Sequence, residues 1–134
     1  MDENEMFYVG LKAFVRRGDE LLVLGDPIEG LDFPGGRIQI GELDIIESLK
    51  REVREETGIE VEVKNPFTTW INVFPPEHKL HGKKVFLVGY ECEYISGEVT
   101  LSDEHDKFSW VTKDNFHEAN DGTEWFEILE KYFK

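Results

Sequence analysis

The chain has 134 residues, the length of about one domain, and its 10 Phe, 4 Tyr and 3 Trp can fill a sizeable core although 33% of residues are charged. That aromatic content argues against intrinsic disorder, and a formal net charge of −14 argues against holding duplex nucleic acid through its phosphates or binding an anionic membrane surface. No apolar run approaches the ~18–20 residues needed to span a bilayer, the acidic opening MDENEM is unlike a secretory leader, and the single cysteine, Cys92, cannot form an internal disulfide. The expectation is a small acidic domain in a reducing, cytoplasmic setting.

In chain order, residues 1–5 read as a frayed tail. Phe7 to Val15 is β-rich, Arg17-Gly18-Asp19 signals a turn and Leu21 to Leu24 resumes as strand, so residues 7–24 predict a hairpin. Gly25 to Gly41 holds five glycines and two prolines, which predicts a loop with short β pieces around Leu31–Phe33 and Arg37–Ile40. Residues 44–57 predict the clearest helix: Asp44 and Glu47 have capping-box spacing, Ile45, Ile46, Leu49 and Val53 recur at helical period, and Gly58 suits the left-handed stop. Glu60–Lys64, Thr68–Phe74, Lys84–Tyr94 and Ser109–Thr112 read as strands, with a loop over 75–83. Cys92 alternates with Tyr90 and Tyr94, so it is expected to pack. A last helix starts near Glu124 behind Thr123, with Phe126, Leu129 and Phe133 on one face and Trp125, Ile128 and Tyr132 beside it. These elements predict one α/β domain, a mixed sheet with helices on its faces.

The segment Gly35 to Ile59, GGRIQIGELDIIESLKREVREETGI, carries the chemistry. At 100° per residue, Glu52, Glu55 and Glu56 share an arc of roughly 100°, with Glu56 at the edge of the apolar stripe. Like charges at these spacings destabilise a helix by ~0.2–0.5 kcal/mol per pair. A solvated face of alternating charge is the plain explanation, but such a face should not drift into the buried stripe. Hard oxygen donors facing a glycine loop suit Mg²⁺ held against a diphosphate. The metal would also let a strongly acidic protein bind an anionic substrate.

This segment resembles the signature of the Nudix (MutT-like) hydrolases, G-x5-E-x7-R-E-U-x-E-E-x-G-U, with U a bulky apolar residue. Gly36 and Glu42 match its first half, and Arg51, Glu52, Val53, Glu55, Glu56, Gly58 and Ile59 match its second. The middle spacing has one extra residue. Because Asp44 caps the helix, the addition is placed at Leu43, directly after Glu42, whose counterpart in the family braces the loop.

The resemblance implies a Nudix α/β/α sandwich around a mixed sheet, and Mg²⁺-dependent hydrolysis of a diphosphate bond in a small nucleotide, with Mn²⁺ a possible substitute. It implies that Glu52, Glu55, Glu56 and the carbonyl of Gly36 bind metal, and that Arg51 orients a catalytic glutamate. Glu104, six residues before Trp110, matches a distal MutT-type carboxylate, with Asp103, Glu91 and Glu93 as rivals. Glu52 and Glu104 are the candidates for the base. Arg37 is a phosphate candidate, and Phe33 and Trp70 are candidates to stack on a base, although burial is the default for such aromatics. The basic pairs Arg16-Arg17 and Lys83-Lys84 are expected to be solvated. His78, His81, His105 and His117 lack paired zinc spacing and are expected at surfaces or turns. A (deoxy)nucleoside triphosphate is the leading substrate. Pro75, sixteen residues after Ile59, favours ADP-ribose or a nucleotide sugar as the alternative, and a non-catalytic sensor module is the reading from another class. A homodimer is left open.

Overall fold

Alternation along the first two strands sorts their side chains onto two faces, and each face acquires a helix. The structure is a computed structural model, described over residues 3–134. Strands β1 (Tyr8–Arg17) and β2 (Glu20–Asp26) form the expected antiparallel hairpin, turning at Gly18 with φ 65°. Leu11, Ala13 and Val15 of β1 and Leu22 and Leu24 of β2 point to one face; Phe14, Leu21 and Val23 point to the other. Helix α1 (Ile45–Thr57) sends Leu49 and Val53 into the first core, and helix α2 (Glu124–Tyr132) sends Phe126 and Leu129 into the second. The result is the expected α/β/α sandwich. Each such buried side chain is worth about 1.5–3 kcal/mol, which outweighs the repulsion among the carboxylates of α1.

The other strands are β3 (Gly30–Asp32), β4 (Gly35–Arg37), β5 (Glu60–Val73), β6 (Lys84–Ser96) and β7 (Lys107–Val111). Their order is β3-β2-β1-β6-β5, with β4 paired to β1 and β7 to β2. β1 runs parallel to β6 and every other pair is antiparallel, so the sheet is mixed. Trp125, Tyr132 and Phe133 of the C-terminal segment pack against the second core, which explains the broad apolar surface of that segment.

Several local expectations shift. The second short β piece is Gly35–Arg37 rather than Arg37–Ile40, because these residues find partners at Lys12, Leu11 and Gly10. The two strands expected at 60–64 and 68–74 are one strand, β5, whose register slips on either side of Pro66. A 3-10 turn at Phe116–Ala119 joins the expected elements. Asp44 caps α1 by accepting from the Glu47 amide (3.2 Å), and Gly58 ends it at φ 75°. The Glu47 carboxylate takes Lys50 (3.4 Å). Thr123 precedes α2 but donates its hydroxyl to Asp121 rather than capping. Of the expected tail, residues 1–2 lie outside the described residues; residues 3–7 carry no strand or helix, and Glu5 pairs with Lys84. Among the described residues no helix is long and apolar enough to cross a membrane.

Candidate metal and nucleotide site

The pairing of β4 with β1 brings the glycine loop onto the carboxylate face of α1. Gly35 has φ 140°, and a side chain there would meet the Leu11 carbonyl oxygen at 2.0 Å, so only glycine fits. Its amide donates to Glu56 Oε1 (3.0 Å). A Cβ on Gly36 would lie 3.0 Å from Glu52 Oε2, so the missing side chain leaves the space in which the Glu52 carboxylate stands. Glu104 arrives from the loop before β7: one ligand-type atom each from Glu56, Glu104 and His105 lies within 4.8 Å of the others. The structure thus brings Gly36, Glu52, Glu56 and Glu104 together. Glu55 stays half-exposed and is taken up by Arg51.

Arg51 is the hub of the rim. Its Nη1 donates to both oxygens of Glu55 (2.6 and 2.9 Å), and its Nη2 donates to Glu42 Oε2 (2.7 Å) and lies 3.5 Å from Glu52 Oε1. Glu42 also accepts from the Gln39 amide (2.8 Å) and the Ser48 hydroxyl (2.9 Å). These bonds hold its carboxyl below the usual carboxylate range. Leu43 is exposed in the turn before α1, so the extra residue is absorbed there and Glu42 still braces the loop.

Burial decides the electrostatics. Glu56 is 5% exposed, and desolvation pushes its carboxyl up to about 8 against the opposing pull of Lys12 and the Gly35 amide. Burial also raises Glu52, with Glu55 and Glu104 adding repulsion against Arg51. Beneath them lies a largely buried chain, open to the cleft at one end, that the sequence did not reveal. Lys12 Nζ stands 3.0 Å from Asp32 Oδ1, and Asp32 Oδ2 stands 2.8 Å from His105 Nε2. Burial opposes each of the three charges, yet the pairing wins: Lys12 and His105 are raised and Asp32 is lowered. His105, expected at a surface or turn, sits in a turn but is buried, because its ring satisfies Asp32. The signal available in sequence was only its position beside Glu104.

The stacking candidates are corrected. Phe33 is fully buried, stacked on Phe14 at 4.2 Å, and Trp70 packs edge-on against Trp125 at 5.3 Å, so neither offers a face to a ligand. Both support Trp125, which does line a cleft of about 450 Å³ beside Gly36, together with Lys12, Asp32, Arg37, Asn72 and Phe74. The Arg37 guanidinium lies 5.7 Å from the Tyr8 ring centre and 5.5 Å from that of Phe74. Among the described residues no carboxylate pairs with it. Arg16, Arg17 and Lys84 are paired at the surface with Glu93, Glu20 and Glu5. Glu91 and Glu93 alternate with Cys92, which is buried in the α1-side core, so they face away from the α1 carboxylates. Asp103 is exposed. The Cys92 thiol is pushed by burial up to about 12, as a packing residue would be.

A carboxylate helix docked on a glycine strand, beside an aromatic-lined cleft in an α/β/α sandwich, is an arrangement able to hold a divalent cation next to a bound ligand. The family model described as "NUDIX domain" matches residues 6–131, and the chain belongs to that family. No curated protein sequence matches it. Among solved structures, it is similar to the MutT protein from Methanosarcina mazei Go1 (24% identity, 98% of this chain and 96% of that one, TM-score 0.79). It is also similar to a MutT NUDIX hydrolase from Burkholderia pseudomallei (21% identity, 95% and 98% covered, TM-score 0.77). An ADP-ribose pyrophosphatase from Streptococcus suis shares the fold at 20% identity, 82% and 77% coverage and TM-score 0.61. Nudix hydrolases act on small nucleotide substrates and generally use divalent metal ions, and membership supports a pyrophosphohydrolase. The residues present fit such an ion: the donors are hard carboxylate oxygens, and Gly36 leaves open the space a side chain would fill.

Proposed function

We propose that this chain is a Mg²⁺-dependent pyrophosphohydrolase acting on a (deoxy)nucleoside triphosphate, working as a single Nudix domain in the cytoplasm. The observation that carries this reading is the meeting of Glu56 with Glu104 and of Glu52 with Gly36, the last of which also lines the Trp125 cleft. Glu52, Glu55, Glu56, Glu104 and the Gly36 carbonyl would hold the metal. When bound, Mg²⁺, or Mn²⁺ in its place, supplies charge against the diphosphate and acidifies water. Arg37, free of any carboxylate among the described residues and steadied by two aromatic rings, binds phosphate oxygens. Trp125 and Phe74 bed the nucleoside. Glu52 or Glu104 accepts the proton of the attacking water, whose oxygen bonds to phosphorus as the bridging P–O bond breaks. Arg51 holds Glu55 and Glu42 in place while this happens.

A second reading, ADP-ribose or a nucleotide sugar, is favoured by Pro75, which also lines the cleft. One hydrolysis panel in Mg²⁺ separates them: (d)NTPs, ADP-ribose, nucleotide sugars and dinucleoside polyphosphates, with products resolved by chromatography. Release of a nucleoside monophosphate and inorganic pyrophosphate from a triphosphate, lost in Glu56→Gln, is the expected result. Turnover of ADP-ribose alone would install the second reading. Tight binding of a nucleotide without turnover, in Mg²⁺ and Mn²⁺, would make the chain a sensor module and overturn both.

A further inference from the structure

Of the converging carboxylates, Glu104 alone stands on a loop, and its own side chain is exposed. Something must hold that loop if the carboxylate is to keep its place beside Glu56. The backbone supplies two ties: the Ser102 amide donates to the Glu56 carbonyl (3.1 Å), and the Asp106 amide donates to the Gly25 carbonyl (3.1 Å). Between them the His105 side chain turns inward and is 6% exposed. Asp32, paired with Lys12 (3.0 Å) and accepting from the Phe33 amide (2.8 Å), is an acceptor only, so His105 Nε2 carries the proton and donates to it (2.8 Å). The other ring nitrogen, Nδ1, is buried with no hydrogen-bond partner among the described residues. Among the described residues the Asp32 bond is therefore the single hydrogen bond of the ring, and an apolar side chain would fill the space without an orphaned nitrogen.

We propose that His105 is a positioning residue: its bond to Asp32, backed by Lys12, fixes the loop that presents Glu104 to the metal carboxylates. Asp32 also lines the nucleotide cleft, so the anchor lies in the wall shared by the cleft and the carboxylate cluster. The inference rests on the reading that Glu104 serves the metal, and the test separates the two.

Mn²⁺ binding to the metal-free protein, followed by the EPR signal of the free ion, is compared with kcat and KM for wild type, His105→Leu, His105→Gln, Glu104→Gln and the His105→Leu/Glu104→Gln double variant. Partners that orient metal ligands are worth about 10–100-fold in affinity or activity. His105→Leu is expected to weaken Mn²⁺ binding and lower kcat by about that factor, with KM little changed. His105→Gln, which keeps an N–H to donate, recovers much of the loss, and in the Glu104→Gln background His105→Leu adds nothing. Should the leucine variant not fold, His105→Asn, too short to reach Asp32, replaces it. A weakened Glu104→Gln beside a wild-type-like His105→Leu would overturn the proposal. So would equal, additive losses in both backgrounds, the mark of general loosening. A wild-type-like Glu104→Gln would remove Glu104 from the site, and the inference with it.

Discussion

Two adjacent glycines do different work. At Gly35 the backbone itself is the constraint: φ 140° and a carbonyl 2.0 Å from any Cβ leave no room for alanine. Strain of this kind costs roughly 1–3 kcal/mol before the clash is counted. At Gly36 the neighbour is the tip of Glu52, which can give by a few tenths of an ångström. Gly35→Ala should therefore lower the melting temperature sharply. Gly36→Ala should melt near wild type yet lose about 10-fold or more in kcat, as small misplacements at reacting centres do. Equal melting points for the two variants would refute this division.

Glu56 makes a second prediction at this scale, for the metal-free protein. Below its ordinary value of 4.5 the carboxyl is protonated whether folded or unfolded; between there and about 8 the folded state keeps a proton that the unfolded chain has lost. Stability contributed by this group therefore falls as pH rises through that window and levels off above it. Glu56→Gln keeps an acceptor for the Gly35 amide without the charge. The variant should gain on wild type as pH rises from about 5 to about 8, by on the order of a few kcal/mol at most. A constant difference between the two across a pH series of thermal melts would contradict the assignment.

Among the elements, α1 is the one whose sequence and structure agree most closely, because its signals are local. Asp44 satisfies an amide three residues on, the Leu49 and Val53 stripe repeats at helical period, and Gly58 adopts the left-handed stop. Asp44→Ala should cost about 1 kcal/mol, read as a melting temperature lower by a few degrees, with kcat almost unchanged because Glu52 to Glu56 lie at the far end of the helix. Strands are less legible where their partners are distant. Nothing within Gly35–Arg37 announces that it will pair with Gly10–Lys12, and Pro66 looks like a strand break until β6 is seen to accommodate it with shifts of register. Glu47 has the spacing for a reciprocal cap, yet Lys50 competes for its carboxylate.

For the molecule as a whole, the site is a seam between the two layers. The carboxylates proposed to hold metal come mainly from α1 on one face of the sheet, while the cleft belongs to Trp125 and the α2 face, and the short strand Gly35–Arg37 joins them. A net charge of −14, with Glu56 beside Glu104 and Glu52 repelled by Glu55 and Glu104, makes the metal-free protein self-repelling. A divalent cation that binds only the folded state stabilises it by about 2.7 kcal/mol at a hundred times its Kd. MgCl₂ should thus raise the melting temperature well beyond NaCl of equal ionic strength, and Glu52→Gln should remove the excess. Equal shifts from the two salts would leave general screening as the whole effect.

By itself the sequence determined the features that spacing along the chain dictates: the capped helix, the three carboxylates on one arc, the glycine pair before them and the hairpin that starts the sheet. Arg51 and Glu42 are legible for the same reason, though their joint bracing of the rim shows only in the bonds they make. Tertiary structure decided what depends on residues far apart meeting in space. It buried Phe33 and Trp70 and put Trp125 at the cleft, because the C-terminal helix α2, distant from both along the chain, covers that face of the sheet. It placed Glu104, rather than Glu91 or Glu93, beside Glu56, through the face each segment presents. It also assembled Lys12, Asp32 and His105, whose charges are tolerable in a largely buried place only because folding sets Lys12 and His105 within hydrogen-bond reach of Asp32.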